Sequence, residues 1–290
     1  MNALKTALLL GLLSGLLMFG GQAIAGRQGM MMGLMLAVGM NFFSYFFSEK
    51  MALSMYSAQL VTTQENPEIY ARVFPIVNGL TIKMGLPMPR LWVIPGDQPN
   101  AFATGRNPAH SSVAMTEGIL RIMTDRELEG VLAHELGHVL HRDILISSVA
   151  ATLAAALSQI AYLGMFFGGG RRNDDEDRGS PVVAMLTMLV APMAAGLIQM
   201  AISRSREFDA DATSAKYTGS PDGLINALGK LERGVERIPM DANQATAHMF
   251  IMNPFRAGGL SRMFSTHPST EERIARLQEM RLGAGMVQGH

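Results

Sequence analysis

The 290-residue sequence predicts a mainly α-helical, polytopic membrane protein in which four hydrophobic helices carry an α+β domain with a small β-sheet. Three observations lead there. Charged residues make up only 17% of the chain, against about 25% in ordinary globular domains. They are unevenly spread: residues 6–26, 28–48, 144–170 and 179–203 contain no Asp, Glu, Lys or Arg. Each stretch is long enough to cross a hydrocarbon core of roughly 30 Å as a helix. The intervening segments have ordinary polarity and carry the turn residues of a folded domain.

A wholly soluble protein is thereby excluded. Acidic and basic side chains balance at 24 each, so no basic field is present to bind nucleic acid. The absence of Cys removes disulfides, thiol nucleophiles and thiolate metal sites, leaving His and carboxylates as the strong ligands. The 24 methionines, clustered for example at Met30, Met31, Met32, Met35 and Met40, read as adaptable apolar packing.

Residues 1–48 are expected to form two N-terminal transmembrane helices joined by a tight turn at Gly26-Arg27-Gln28-Gly29. Ala23-Ile24-Ala25 also fits a signal-peptide cleavage pattern, but the apolar stretch is long for that purpose. Residues 49–143 form the first part of the polar domain, 144–203 a membrane hairpin with a charged connector at Arg171–Arg178, and 204–290 the second part. Near the span ends, Lys5, Lys50, Arg142, Arg204, Arg206 and Lys216 lie on the side of the polar domain, against Arg27, Arg171, Arg172 and Arg178 opposite. This excess favours a cytoplasmic domain. Arg204 and Arg206 are expected to anchor at lipid headgroups.

Within the first polar part, Leu91–Pro95 and Ser112–Thr116 read as short strands, with turns marked between them by Gly96, Pro99, Gly105 and Pro108. Thr124-Asp125-Arg126-Glu127 has the form of a capping box and starts a helix. That helix carries His134-Glu135-Leu136-Gly137-His138. Histidines at i and i+4 project from one helical face and can share one zinc ion, while Glu135 reaches a metal-activated water as general base. The domain is thus zincin-like, a metalloprotease with one zinc per chain.

A catalytic zinc of this type takes a third protein ligand and keeps one position open. An extended HExxHxxGxxH pattern is missing, since His141 and Ile144 occupy the later positions. Glu207 is the candidate. His138 lies six residues before the third span and Glu207 four residues after the fourth ends at Ser203, so an antiparallel hairpin returns both to the same side, roughly 6–9 Å above the membrane edge. Asp211, one turn beyond Glu207, can accept a hydrogen bond from the second nitrogen of a zinc-bound His. A donor for the developing oxyanion is also needed, with His267 and Arg273 as candidates. The strand containing Val113, Ala114 and Met115 is expected to be a sheet edge where an extended substrate adds by main-chain pairing.

At these residues the sequence resembles the HtpX family of membrane-bound zinc metalloproteases, relatives of the CAAX prenyl proteases. The likeness covers essentially the whole chain, in order: two N-terminal spans, Asn100–Gly105, HExxH before a third span, Ser203-Arg204 to Asp211 after a fourth, and Thr266-His267-Pro268. The resemblance implies His134, His138 and Glu207 as zinc ligands and Glu135 as the catalytic residue. It further implies protein quality control at the bacterial inner membrane, with the membrane and unfolded protein chains as partners. Two other functions compete. An intramembrane protease would bury its motif in a charge-free span, whereas Arg126, Glu127, Glu129, Arg142 and Asp143 bracket this one. A non-catalytic zinc scaffold or stress sensor would close the metal's fourth position, usually with Cys.

Overall fold

The computed structural model describes residues 2–146, 204–237 and 268–287. The expected hairpin over 144–203 lies almost wholly outside the described residues, as does His267. The described part is mainly helical with a small mixed sheet.

The first helix, α1 (Asn2–Met55), is helical throughout its 54 residues yet is not one rod. Gly26 has φ +58°, a conformation that costs glycine nothing, and the chain doubles back there. Asn41 Nδ2 donates to Leu10 O at 3.4 Å and to Ser14 Oγ at 2.9 Å, although a straight helix would hold residues 10 and 41 roughly 45 Å apart. The turn expected at Gly26–Gly29 is present, without a non-helical connector. A second bend, of 62°, separates Gly26–Phe43 from Tyr45–Met55. Among the described residues no single helix is long and apolar enough to cross a membrane; this bent pair meets the length and composition together. The helix continues past residue 48, to Met55.

Four strands follow, β1 (Gln59–Leu60), β2 (Arg90–Ile94), β3 (Ala101–Asn107) and β4 (His110–Thr116), with α2 (Pro67–Met84) between β1 and β2. Their order is β1-β2-β4-β3, with β2 and β4 parallel and the other pairs antiparallel. This corrects two expectations. The strand of Val113, Ala114 and Met115 is interior, not an edge: Ala114 aligns with Trp92 on one side and Phe102 on the other. The edges are β1 and β3, the latter a segment whose Gly and Thr content reads as turn. Pairing with β4 outweighs its weak strand propensity.

Both faces of the sheet are covered. Val113, Met115 and Ala101 join the core formed by α2 and α4, while Ala114, Phe102 and Ile94 pack with Ala52 and Leu53 at the end of α1. Next come α3 (Glu117–Ile122) and α4 (Asp125–Leu140). The expected capping box is formed: Thr124 Oγ1 accepts from Glu127 N, and Glu127 Oε2 accepts from Thr124 N at 2.8 Å. Lys230 Nζ also donates to Glu127 Oε2, at 2.6 Å.

Three further helices, α5 (Arg204–Thr218), α6 (Asp222–Arg237) and α7 (Thr270–Val287), complete the described domain. Helix α4 is its axis, packed against α2, α5, α6 and β3. Leu128, Val131, Leu132 and Leu136 of α4 and Leu224, Leu228 and Leu231 of α6 are fully buried, each worth about 1.5–3 kcal/mol of apolar transfer. The α4–α6 contact is close enough that a Cβ on Gly130 would lie 2.6 Å from Leu224 N.

That approach sets the sign of one substitution. Gly130→Ala gains about 1 kcal/mol of helix propensity but forces backbone apart, at about 1–3 kcal/mol. The variant is expected to melt at a lower temperature in detergent than the wild type, measured by differential scanning fluorimetry; a higher melting temperature would contradict this packing.

Candidate metal centre

Helix α4 is buried around most of its circumference, including His134 and Glu135, because α5 lies across it. Helix α5 is polar, yet Arg206, Glu207, Ala210, Asp211, Thr213 and Ser214 are all buried. Ser214 Oγ donates to Gly130 O at 2.7 Å, and a Cβ on Gly137 would sit 3.2 Å from Ala210 Cα. The small residue inside the HExxH motif is what lets α5 approach. It sets Glu207 opposite the two histidines.

Each imidazole is oriented by a carboxylate at Nδ1: His134 by Asp211 at 2.9 Å and His138 by Asp143 at 3.4 Å. Both therefore turn Nε2 towards Glu207, at 3.6 Å from its two oxygens. One ligand atom from each of His134, His138 and Glu207 lies within 4.8 Å of the others. Tetrahedral bonds of about 2.0–2.1 Å place ligand atoms about 3.4 Å apart. Two imidazoles and a carboxylate at this spacing fit a divalent zinc-type cation, and the carboxylate behind each His is the usual support for such ligands.

Arg273, delivered by α7, completes the cluster. Its Nε and Nη2 donate to the two oxygens of Asp211 at 2.9 and 2.6 Å, and its Nη1 lies 3.8 Å from Glu207. Only 1% of its side chain is exposed. The structure thus gives Arg273 a positioning task, bracing Asp211 behind His134, in place of the expected oxyanion contact. Glu135 faces the sheet: its Oε2 accepts from Ala103 N at 2.8 Å. The edge strand and the glutamate of the HExxH motif are therefore joined directly.

The site departs from expectation in other residues too. Val113, Ala114 and Met115 are completely buried in the sheet. Arg206 is buried beside the charges of Asp143 and Glu207, not extended to a headgroup, while Arg204 is exposed. Asp143 and the Ala103 N–H were not anticipated. A signal for Asp143 exists: an acidic residue at a helix C-terminus opposes the helix dipole and calls for a compensating partner. Arg142, with φ +59°, turns the chain so that Asp143 N donates to His138 O at 2.8 Å and its carboxylate meets the ring.

Burial drives the Glu135 carboxyl up to about 7; Glu207 adds to the rise, while His138 and the Ala103 N–H oppose it. Burial works against a charged His138, but the Asp143 hydrogen bond and the Glu207 and Glu135 carboxylates outweigh it and hold its pKa up at about 9. Burial and the Arg273 guanidinium push His134 below its ordinary value. Asp211 would be raised by burial, yet Arg273 holds it below the usual carboxylate range.

Residues 66–281 match peptidase family M48. The Protease HtpX homolog of Methylibium petroleiphilum is 51% identical over 282 residues, covering 96% of this chain and 98% of that one. The Protease HtpX homolog of Ralstonia pickettii is 51% identical over 283 residues, covering 96% of each. The crystal structure of S. mikatae Ste24p is similar with a TM-score of 0.51 at 18% identity. It is matched by 95% of this chain, which spans 65% of its length. At that identity the likeness is one of fold.

Two outcomes follow from the cluster. Arg273→Met leaves the Asp211 charge buried without its partner, a loss of about 3–5 kcal/mol. Zinc affinity should then fall about 10- to 100-fold, read by chelator competition, with Arg273→Lys intermediate because it lacks the two-pronged fork. Unchanged affinity in Arg273→Met would remove its positioning role. The second outcome concerns protons. The folded values of Glu135 and His138 lie above the ordinary 4.5 and 6.5. The stability they confer on the metal-free protein is complete below those ordinary values and disappears as pH rises through about 7 and about 9. The lowered pKa of His134 acts in the opposite direction below 6.5, so metal-free protein should melt at falling temperature as pH rises from 6.5 to about 9. Zinc binding near neutral pH should release about one proton or more, measured by calorimetry in buffers of different ionisation enthalpy. A melting temperature that climbs over the same window would refute the assignment.

Proposed function

This chain belongs to peptidase family M48 and is a metallopeptidase, and from that premise we propose that it is a membrane-anchored, zinc-dependent endopeptidase. Its proposed substrates are misfolded or damaged membrane proteins, and its proposed place is the bacterial inner membrane with the catalytic domain facing the cytoplasm. Similarity to proteins named Protease HtpX homolog along nearly their full length supports this. So do the apolar α1 hairpin and the charge-free stretch beyond α4.

One observation carries the reading: Glu135 stands within the His134, His138 and Glu207 cluster and is tied to the edge of the sheet through Ala103. His134, His138 and Glu207 would hold the zinc ion, which when bound would supply Lewis acidity to a water and to a scissile carbonyl. Glu135 acts as the proton carrier. A carboxylate at this place can accept a proton from the attacking water and return it to the leaving amine. The Ala103 N–H holds one carboxylate oxygen and so fixes the direction of the other. His134 and His138 are held to one tautomer and one orientation by Asp211 and Asp143.

Substrate docking falls to β3. Ala103 directs its N–H away from β4, and in an antiparallel pair alternate residues point the same way. Ala101 and Gly105 then offer main-chain groups to an extended peptide laid alongside. Such pairing reads backbone rather than side chains, which suits unfolded chains of varied sequence.

The test is hydrolysis of an unfolded substrate such as casein in detergent. Glu135→Gln keeps the shape and a hydrogen-bond acceptor for Ala103 but cannot carry the proton; kcat/KM should fall by about 10²–10⁴ with zinc content unchanged. Equal activity in the variant, or bound zinc without cleavage by the wild type, would sink the protease reading.

A further inference from the structure

On the face of the sheet opposite α4 lies a cavity of ≈ 620 Å³, within the range of about 300–1,000 Å³ typical of small-ligand sites. It plays no part in the chemistry above. One wall is the segment of α1 after its 62° bend, with Tyr45, Phe46, Phe47 and Lys50; the other is the sheet, with Arg90, Trp92 and Arg106. We propose that this cavity binds the headgroup of an anionic phospholipid, with its acyl chains along the aromatic side of α1. The proposal rests on the membrane anchoring put forward above.

Charge and place both point to this occupant. Four charged side chains line the cavity: Glu49, Lys50, Arg90 and Arg106. Arg90 Nη2 lies 2.5 Å from Glu49 Oε1, and Ser112 Oγ donates to the same carboxylate at 2.6 Å, so that pair is internally satisfied. Neither Lys50 nor Arg106 has a carboxylate partner among the described residues; Arg106 lies over the Phe46 ring, 5.4 Å from its centroid. Two cations without a carboxylate partner among the described residues, exposed Lys50 and half-buried Arg106, line the cavity and favour an anion there. The cavity also opens where an apolar helix bends, and Phe42, Phe43, Phe46 and Phe47 remain exposed on the two arms of that bend. Aromatic and basic residues together at the end of an apolar helix mark the headgroup level of a bilayer. A free phosphate would use the cations but not the aromatic surface; a phospholipid uses both.

Trp92 is the chain's single tryptophan, lines the cavity and donates from Nε1 to Ser112 Oγ at 3.0 Å, so its fluorescence reports on this site. The full-length zinc-loaded protein is reconstituted in phosphatidylcholine vesicles containing either brominated phosphatidylglycerol or brominated phosphatidylcholine. Brominated phosphatidylglycerol is expected to quench Trp92 at up to about 25-fold lower mole fraction, from two cations at about 1 kcal/mol each. Replacing Lys50 and Arg106 by Gln should remove that preference, each cation contributing about fivefold, while zinc content stays unchanged as a control for folding. Equal quenching by the two lipids in the wild type would overturn the proposal. Preference surviving in the double variant would place the lipid elsewhere and overturn it too, as would preference abolished by inorganic phosphate, which would identify a free-phosphate site. Flotation of the vesicles separates the two claims: protein that fails to float refutes the membrane anchoring itself, whereas floating protein without lipid preference refutes only the lipid site.

Discussion

The pairing of Arg273 with Asp211 is the interaction on which the centre depends. Glu135, Glu207, Asp211 and Asp143 all lie buried within one cluster, and carrying a carboxylate out of water costs several kcal/mol even after relaxation. Imidazoles alone do not neutralise four such groups. A guanidinium does more than a lysine could, because its planar fork meets both oxygens of Asp211 while its other amino group faces Glu207. This requirement explains why the domain reaches as far as α7. The helix that supplies Arg273 begins more than 130 residues after His134, and without it Asp211 would be buried behind His134 with no guanidinium partner, since Arg206 lies beside Asp143 and Glu207 instead.

Rigidity follows from the same constraint. Asp211 fixes His134, Asp143 fixes His138, Ala103 fixes Glu135, and Ser214 joins α5 to α4 through Gly130 O. Asp211, Ala103 and Ser214 are themselves fixed in helices or strands, while Asp143 sits in the turn that closes α4, where its N–H is held by His138 O. A metal site gains from this because ligands already in place lose little freedom on binding. The cation then replaces protons in a cavity whose shape is set beforehand.

Much of this was legible in the sequence because it is local or periodic. The i, i+4 spacing of His134 and His138, the capping box at Thr124, the glycine-marked reversal in α1 and the four-residue step from Glu207 to Asp211 are all properties of single helices. Strand order is not local. The run Val113-Ala114-Met115 lies on a strand whose two faces are both covered, by α2 and α4 on one side and by α1 on the other. Its lack of alternation is the mark of a strand buried on both faces, a position incompatible with a sheet edge open to substrate. Arg206 was misplaced for a related reason: its neighbours in sequence suggest a headgroup, while its neighbours in space are Asp143 and Glu207. Asp143 depends on a single left-handed residue, Arg142, which nothing in the residue type announces.

Strand β3 connects the two halves of the functional reading. Ala103 contacts Glu135 on the α4 side, whereas Arg106 reaches the opposite side and lies over Phe46 of α1. Three residues of extended strand span roughly 10 Å. A polypeptide paired along this edge therefore passes from the aromatic end of the apolar helix to the general base within a few residues. For a substrate embedded in a bilayer this distance matters, because each residue drawn out of the membrane and held extended must give up its lipid or helical environment. With the membrane anchoring proposed above, a strand that starts beside the aromatic end of α1 and reaches Glu135 would keep that unfolded length short, and it would couple the anchor to the chemistry without requiring α1 to touch the substrate's scissile bond.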